Sequence, residues 1–224
     1  MKKYKLTKET LQFAGRTLHR IKAVKDFDSI KAGEFGGWIE NEKNLSQDDN
    51  AWIYDNAKVF DNAKVYGNAN VSGNAEVYGN ANVSGNAEVY GNAEVYGNAN
   101  VSGNAKVYGN AEVYGNANVS GNANVSGNAN VSDYAKVYGN AVIKGDAKVH
   151  DAVGYIVFKN FWSSGRYFTW TSSNNKWSVG CFYGTSEELI KKAYADSEKS
   201  GREYERVVRY VESILADEKK EKSN

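Results

Sequence analysis

Three carboxylates stand at equal intervals in this chain. Glu76, Glu94 and Glu112 are eighteen residues apart, and each is followed two places on by a tyrosine: Tyr78, Tyr96 and Tyr114. Carboxylate beside phenol offers charge and flat apolar surface together, a combination suited to macromolecular contact. A row of glutamates could also approach a cation. Strand spacing of about 4.8 Å does not converge their oxygens on one ion, so no metal is expected there. Groups able to move protons are few. The histidines are His19 and His150, and the lone cysteine is Cys181. His150, followed by Asp151, is the one weak catalytic candidate, because a histidine without an orienting partner is a poor general base. Cys181 has no histidine near it in sequence and is expected to be a small buried residue. No phosphate-binding glycine loop, metal-ligand cluster or Ser-His-Asp set stands in the sequence, and no cofactor is expected.

The interval of eighteen is three times a shorter one. Alanine recurs every six residues from Ala51 to Ala147, and two places after each alanine stands Val or Ile, from Ile53 to Val149. A typical copy reads "AEVYGN". Ala and Val alternate with the outward residues as in a strand. Gly-Asn then turns the chain, since both residues tolerate positive φ. So short a strand buries its valine only by stacking on its neighbours, which makes the segment a solenoid. A disordered Asn-rich tract has no reason to hold an aliphatic residue in strict phase, and Val with Gly-Asn in every copy opposes a helix.

Folded at eighteen residues per coil, the outward residues sort into three columns. The first face is small and polar: Asn82 and Ser84, Asn100 and Ser102, Asn118 and Ser120. The second carries Lys58 and Phe60, the three Glu/Tyr pairs, Asn130 and Ser132, then Lys148 and His150. The third is mixed: Trp52 and Tyr54, Asn70 and Ser72, Glu88 and Tyr90, Lys106 and Tyr108, Asn124 and Ser126. Stacked glutamates repel across adjacent strands. The second face is therefore either a docking surface for a basic or aromatic partner or a product of repeat duplication that keeps the solenoid solvated. Glu88 and Lys106 should pair, and the turn asparagines from Asn56 to Asn128 should form amide ladders.

Three regions follow. Residues 1–50 form a strand-rich N-terminal cap and irregular first coil, in which Ile39 and Leu45 already stand six apart. Residues 51–153 form the repeat. Residues 154–224 form a cap with a β-hairpin and two helices, near 186–197 and 201–217. Thr185 and Glu188 make a capping box for the first helix. Tyr204, Val207, Val208, Val211, Ile214 and Leu215 share one face of the second. Trp162, Trp170 and Trp177 are expected in the core. The chain has 224 residues, a formal net charge of +1 and no proline. The near-zero charge opposes non-specific nucleic-acid binding. The start shows no apolar run of a signal peptide, and no window is apolar enough to span a bilayer. One cysteine allows no internal disulfide. A soluble cytoplasmic protein, without a membrane partner, is expected.

The hexapeptide resembles that of the left-handed parallel β-helix proteins, the superfamily of LpxA-type acyltransferases. An aliphatic residue followed four places on by a small one, as in Val65 with Ala69 or Val95 with Ala99, carries the likeness. Here Tyr or Ser follows the aliphatic residue where the family often has Gly or Asp. The flanks "FGGWIENEKNLSQDDNAWIYDNAKV" and "GCFYGTSEEL" resemble those of bacterial and prophage hexapeptide-repeat proteins, often labelled transferases. The resemblance implies a left-handed β-helix of about six regular coils with a small C-terminal α/β cap, and a prophage setting. It also implies that a histidine base and an acyl carrier or CoA between subunits would do any chemistry. The favoured expectation is a non-catalytic solenoid that binds a protein or ribonucleoprotein through its faces or cap, with a host defence factor as one such target. The alternatives are an acetyl-CoA-type acyltransferase and a self-assembling scaffold. A homo-oligomer, dimer or trimer, is a further expectation; the acyltransferase reading implies a trimer with His150 at a subunit boundary, and the scaffold reading an end-to-end filament.

Overall fold

The computed structural model of the protein describes residues 2–160 and 164–221. It comprises two compact units, Met1–Tyr155 and Ile156–Asn224. Trp162 lies outside the described residues.

The first unit opens with an antiparallel hairpin, β1 (Tyr4–Phe13) and β2 (Arg16–Ala23), and a third strand, β3 (Phe35–Ile39). Seventeen short strands follow, one every six residues, from β4 (Trp52–Ile53) to β20 (Lys148–Val149). Each of the first fourteen pairs in parallel with the strand eighteen residues on, as Glu76 with Glu94 and Val77 with Val95. The result is three sheets running the length of a solenoid. This is the expected architecture, and it fits the left-handed form that the resemblance implies. Every repeat alanine and every Val or Ile two places later is at most 1% exposed. The interior is therefore a stack of identical small and branched side chains, and each buried Val adds about 1.5–3 kcal/mol of gross stabilisation.

Glycine at the turn is required twice over. Gly85 sits at φ 68°, and a Cβ there would fall 2.9 Å from the backbone nitrogen of Gly103 in the next coil. Asp55, Asp61 and Asp133 hold the same turn position at φ 53°, 59° and 54°. At the start of the solenoid the carboxylates cap the following coil. Asp49, Asp55 and Asp61 accept the N–H groups of Gly67, Gly73 and Gly79 at 2.9–3.2 Å.

The N-terminal edge is closed on all three sides. On one side β3 pairs antiparallel with β2 and parallel with β5 (Lys58–Val59), and its Trp38 N–H reaches the Ala57 carbonyl at 2.9 Å. On the second, the Lys3 ammonium donates to the carbonyls of Asp49 at 2.6 Å and Ala51 at 2.8 Å. On the third, the Asn44 amide donates to Asp61 and Ala63 at 3.1 and 2.9 Å. Lys3 and Asn44 are 1% and 0% exposed. Two buried side chains thus stand where a preceding strand would be, which removes an edge that invites strand addition. In the first coil Ile39 lies beside Val59 and Leu45 beside Val65, each twenty residues on.

The second unit is a four-stranded sheet with two helices, where a hairpin with two helices was expected. The strands are β21 (Tyr155–Lys159), β22 (Tyr167–Thr171), β23 (Lys176–Val179) and β24 (Phe182–Gly184). The helices are α1 (Ser186–Asp196) and α2 (Glu198–Glu221). Trp170, Trp177, Phe168, Leu189, Tyr204, Val208 and Val211 build its core. Thr185 and Glu188 form the expected capping box. Cys181 departs from expectation: it is exposed. It follows Gly180, whose φ of 58° makes the tight turn between β23 and β24, and the turn leaves its side chain in solvent. Among the described residues, no helix is long and apolar enough to cross a membrane.

Candidate functional site

The second face brings the expected residues together. Glu76, Glu94 and Glu112 stack directly, and the rings beside them form one column. Phe60, Tyr78, Tyr96 and Tyr114 are spaced 5.0, 4.9 and 4.8 Å, with interplanar angles of 1–5°. The repulsion among the glutamates is relieved by partners within the face. Lys58 Nζ meets Glu76 Oε1 at 3.1 Å. The Tyr78 hydroxyl donates to Glu94 at 2.9 Å, and the Tyr96 hydroxyl donates to Glu112 at 3.2 Å. Each phenol reaches the carboxylate of the next coil, because the ring leans along the solenoid axis. Burial, reinforced by the hydrogen bond to Glu94, raises the Tyr78 phenol above its ordinary range. Burial and the Glu112 charge do the same for Tyr96. The six side chains are half-buried. Their ladder is a rigid, internally bonded strip.

At the far end of the same column lies His150, one coil beyond Ser132. Ser132 Oγ is 2.6 Å from His150 Nδ1, and Asp133 Oδ2 is 3.6 Å from the same nitrogen. Ser132 is buried at 1% exposure, whereas the imidazole is half exposed. The sequence neighbour Asp151 is not the orienting group; its carboxylate accepts the Val153 N–H at 2.9 Å. The partners were legible in principle, since adding eighteen to Ser132 gives His150. The adjacent Asp133 comes with the turn, where aspartate holds a position that glycine holds in most other repeats. This is not a serine-nucleophile triad, because serine and carboxylate meet one nitrogen rather than opposite ones. It leaves Nε2 without a protein partner among the described residues.

The other candidates are placed elsewhere. His19 lies on β2 opposite Thr10 and Ile39, its Nδ1 buried without a hydrogen bond. Glu88 and Lys106 pair at 2.8 Å on the third face, as expected. The amide ladders run further than expected, from Asn50 to Asn140 in one column, through steps of 3.0–3.4 Å. Among the described residues, no group of three His, Cys, Asp or Glu side chains is placed to hold a metal ion.

No protein-family model matches the chain. A stretch of 63 residues is 40% identical to an uncharacterized acetyltransferase, YdcK, of Escherichia coli (strain K12). The match covers 25% of this chain and 19% of the relative, so the chain spans about a fifth of the length of the curated protein it matches. That local likeness and the parallel solenoid fit a hexapeptide-repeat, transferase-like protein.

Proposed function

We propose that this chain is an acyl-transferring β-solenoid in which His150 is the general base. The observation that carries this reading is the grip of Ser132 and Asp133 on Nδ1, which fixes the ring and leaves Nε2 for an acceptor. The local likeness to a protein named as an acetyltransferase supports an acetyl thioester as donor. Nε2 takes the proton from the acceptor's hydroxyl or amine as that atom attacks the thioester carbonyl. The carbon–sulfur bond breaks, and the departing thiolate recovers the proton from the imidazolium. Ser132 and Asp133 stabilise that imidazolium through its Nδ1–H.

The test is release of free thiol from acetyl-CoA with a panel of amine and sugar-hydroxyl acceptors. The wild-type protein should turn over, and His150→Ala should lower kcat/KM by about 10²–10⁴-fold. Ser132→Ala should keep part of the activity and move its pH profile. Absence of thiol release with every acceptor, together with no thermal stabilisation by millimolar acetyl-CoA, overturns the reading.

A second reading rests on the ring column of the second face, a flat and rigid strip suited to docking a protein or ribonucleoprotein. Replacing Glu76, Glu94 and Glu112 with Gln keeps an acceptor for each phenol and removes the charge. Capture of a partner by the wild type and its loss in the triple variant, with an unchanged unfolding midpoint, is the expected result. Undiminished capture by the variant would sink this reading.

A further inference from the structure

The third face contains an interrupted version of the same ring column. Tyr90 and Tyr108 stack at 4.8 Å and 1°. One coil before Tyr90 the column holds Ser72, and one coil before that, Tyr54. The missing ring leaves a pocket of about 440 Å³, lined by Tyr54, Asp55, Asn70, Ser72, Glu88 and Tyr90. Two coil steps separate Tyr54 from Tyr90, about 9.6 Å along the axis. A planar group needs roughly 3.5–5 Å from each ring face, so the gap admits one flat layer.

We infer that this slot receives the guanidinium of an arginine presented by a protein partner. The charge of the lining selects the occupant. Asp55 and Glu88 border the gap, and Asp28 and Glu34 add negative charge beside Tyr54. Lys106, one coil on from Glu88, is already bound to it at 2.8 Å. A flat cation between two phenol faces gains cation–π attraction from both. Its in-plane N–H groups reach carboxylates at the slot's sides, which a neutral aromatic ring cannot use. A lysine ammonium lacks the planar shape that fills the layer. This site is separate from His150 and independent of the acyl-transfer reading.

The probe is ethylguanidinium, titrated to tens of millimolar while the ring resonances of Tyr54 and Tyr90 are followed by NMR. Saturable shifts at both rings are expected, with weaker shifts from ethylammonium at equal concentration. Ser72→Tyr completes the column with the residue that it carries at Tyr90 and Tyr108, and should abolish the shifts. Ser102→Tyr, on the first face, should leave them unchanged. Tyr90→Leu removes one wall without filling the gap and should weaken binding about fivefold or more, read at Tyr54. The inference is overturned by an unsaturable response, by equal shifts in Ser72→Tyr, or by equal affinity for ethylammonium. Tighter binding of p-cresol would reassign the slot to a neutral aromatic side chain.

Discussion

At the residue scale, buried polar groups do the work that the uniform interior cannot. Lys3 is almost wholly buried, and desolvation brings its ammonium down to about 8, against the pull of Asp49. The unfolded chain holds that proton to about 10.5. Between those values the unfolded state binds more protons, so stability should rise with pH through this window. Tyr78 and Tyr96 act in the opposite sense. Their folded phenols are raised above the ordinary value near 10, so above pH 10 the folded state holds more protons and stability should fall. Urea unfolding midpoints from pH 7 to about 11.5 should therefore show a maximum near pH 10, set by the Lys and Tyr reference values. Lys3→Met should remove the rising limb and leave the fall. It should also cost about 1–3 kcal/mol at neutral pH, because the Asp49 and Ala51 carbonyls lose their donor. A rising limb that survives in Lys3→Met would assign it to another group.

At the element scale, the turn governs how closely coils approach. Gly103 has φ 70°, and a Cβ there would fall 2.9 Å from Gly121; Gly139 has nearly the same φ, 67°, and nothing within 4 Å. Both alanine variants pay roughly 1–2 kcal/mol for the left-handed conformation. Only Gly103→Ala must also push two coils apart, so it should be the less stable by at least about 1 kcal/mol in chemical denaturation. Equal midpoints would show that the stack relaxes freely. Strands, turns and three faces were legible because a period of two is nested in six and six in eighteen, and each copy restates the last. Lys3 and Asn44 were not legible as caps: their bonds join residues 48 and 19 positions apart, and no periodicity marks either residue. Ser132 and His150 stood in one column of the sequence, yet their contact needed only the coil length to be applied to a pair of unlike residues. Cys181 was misjudged because a general tendency of cysteine to be buried gave way to the local demand of the Gly180 turn.

At the scale of the whole molecule, each coil contacts only its neighbours, so length should be adjustable in units of eighteen residues. Excision of residues 111–128 joins Asn110 to Ala129 in phase and places Glu94 beside Asn130. The shortened protein should stay folded by circular dichroism, with a smaller denaturant m-value in proportion to the area lost. Loss of cooperative unfolding in this variant would show that some coil has a role beyond stacking. The alanine and valine interior has a further consequence. Identical rungs cannot say which rung is which, and a stack slipped by one whole coil would bury the same side chains. Counting needs an origin. The twenty-residue first coil, sealed by Lys3 and Asn44 and marked by Asp49, Asp55 and Asp61, supplies one: it is the zero mark from which this chain numbers its own floors.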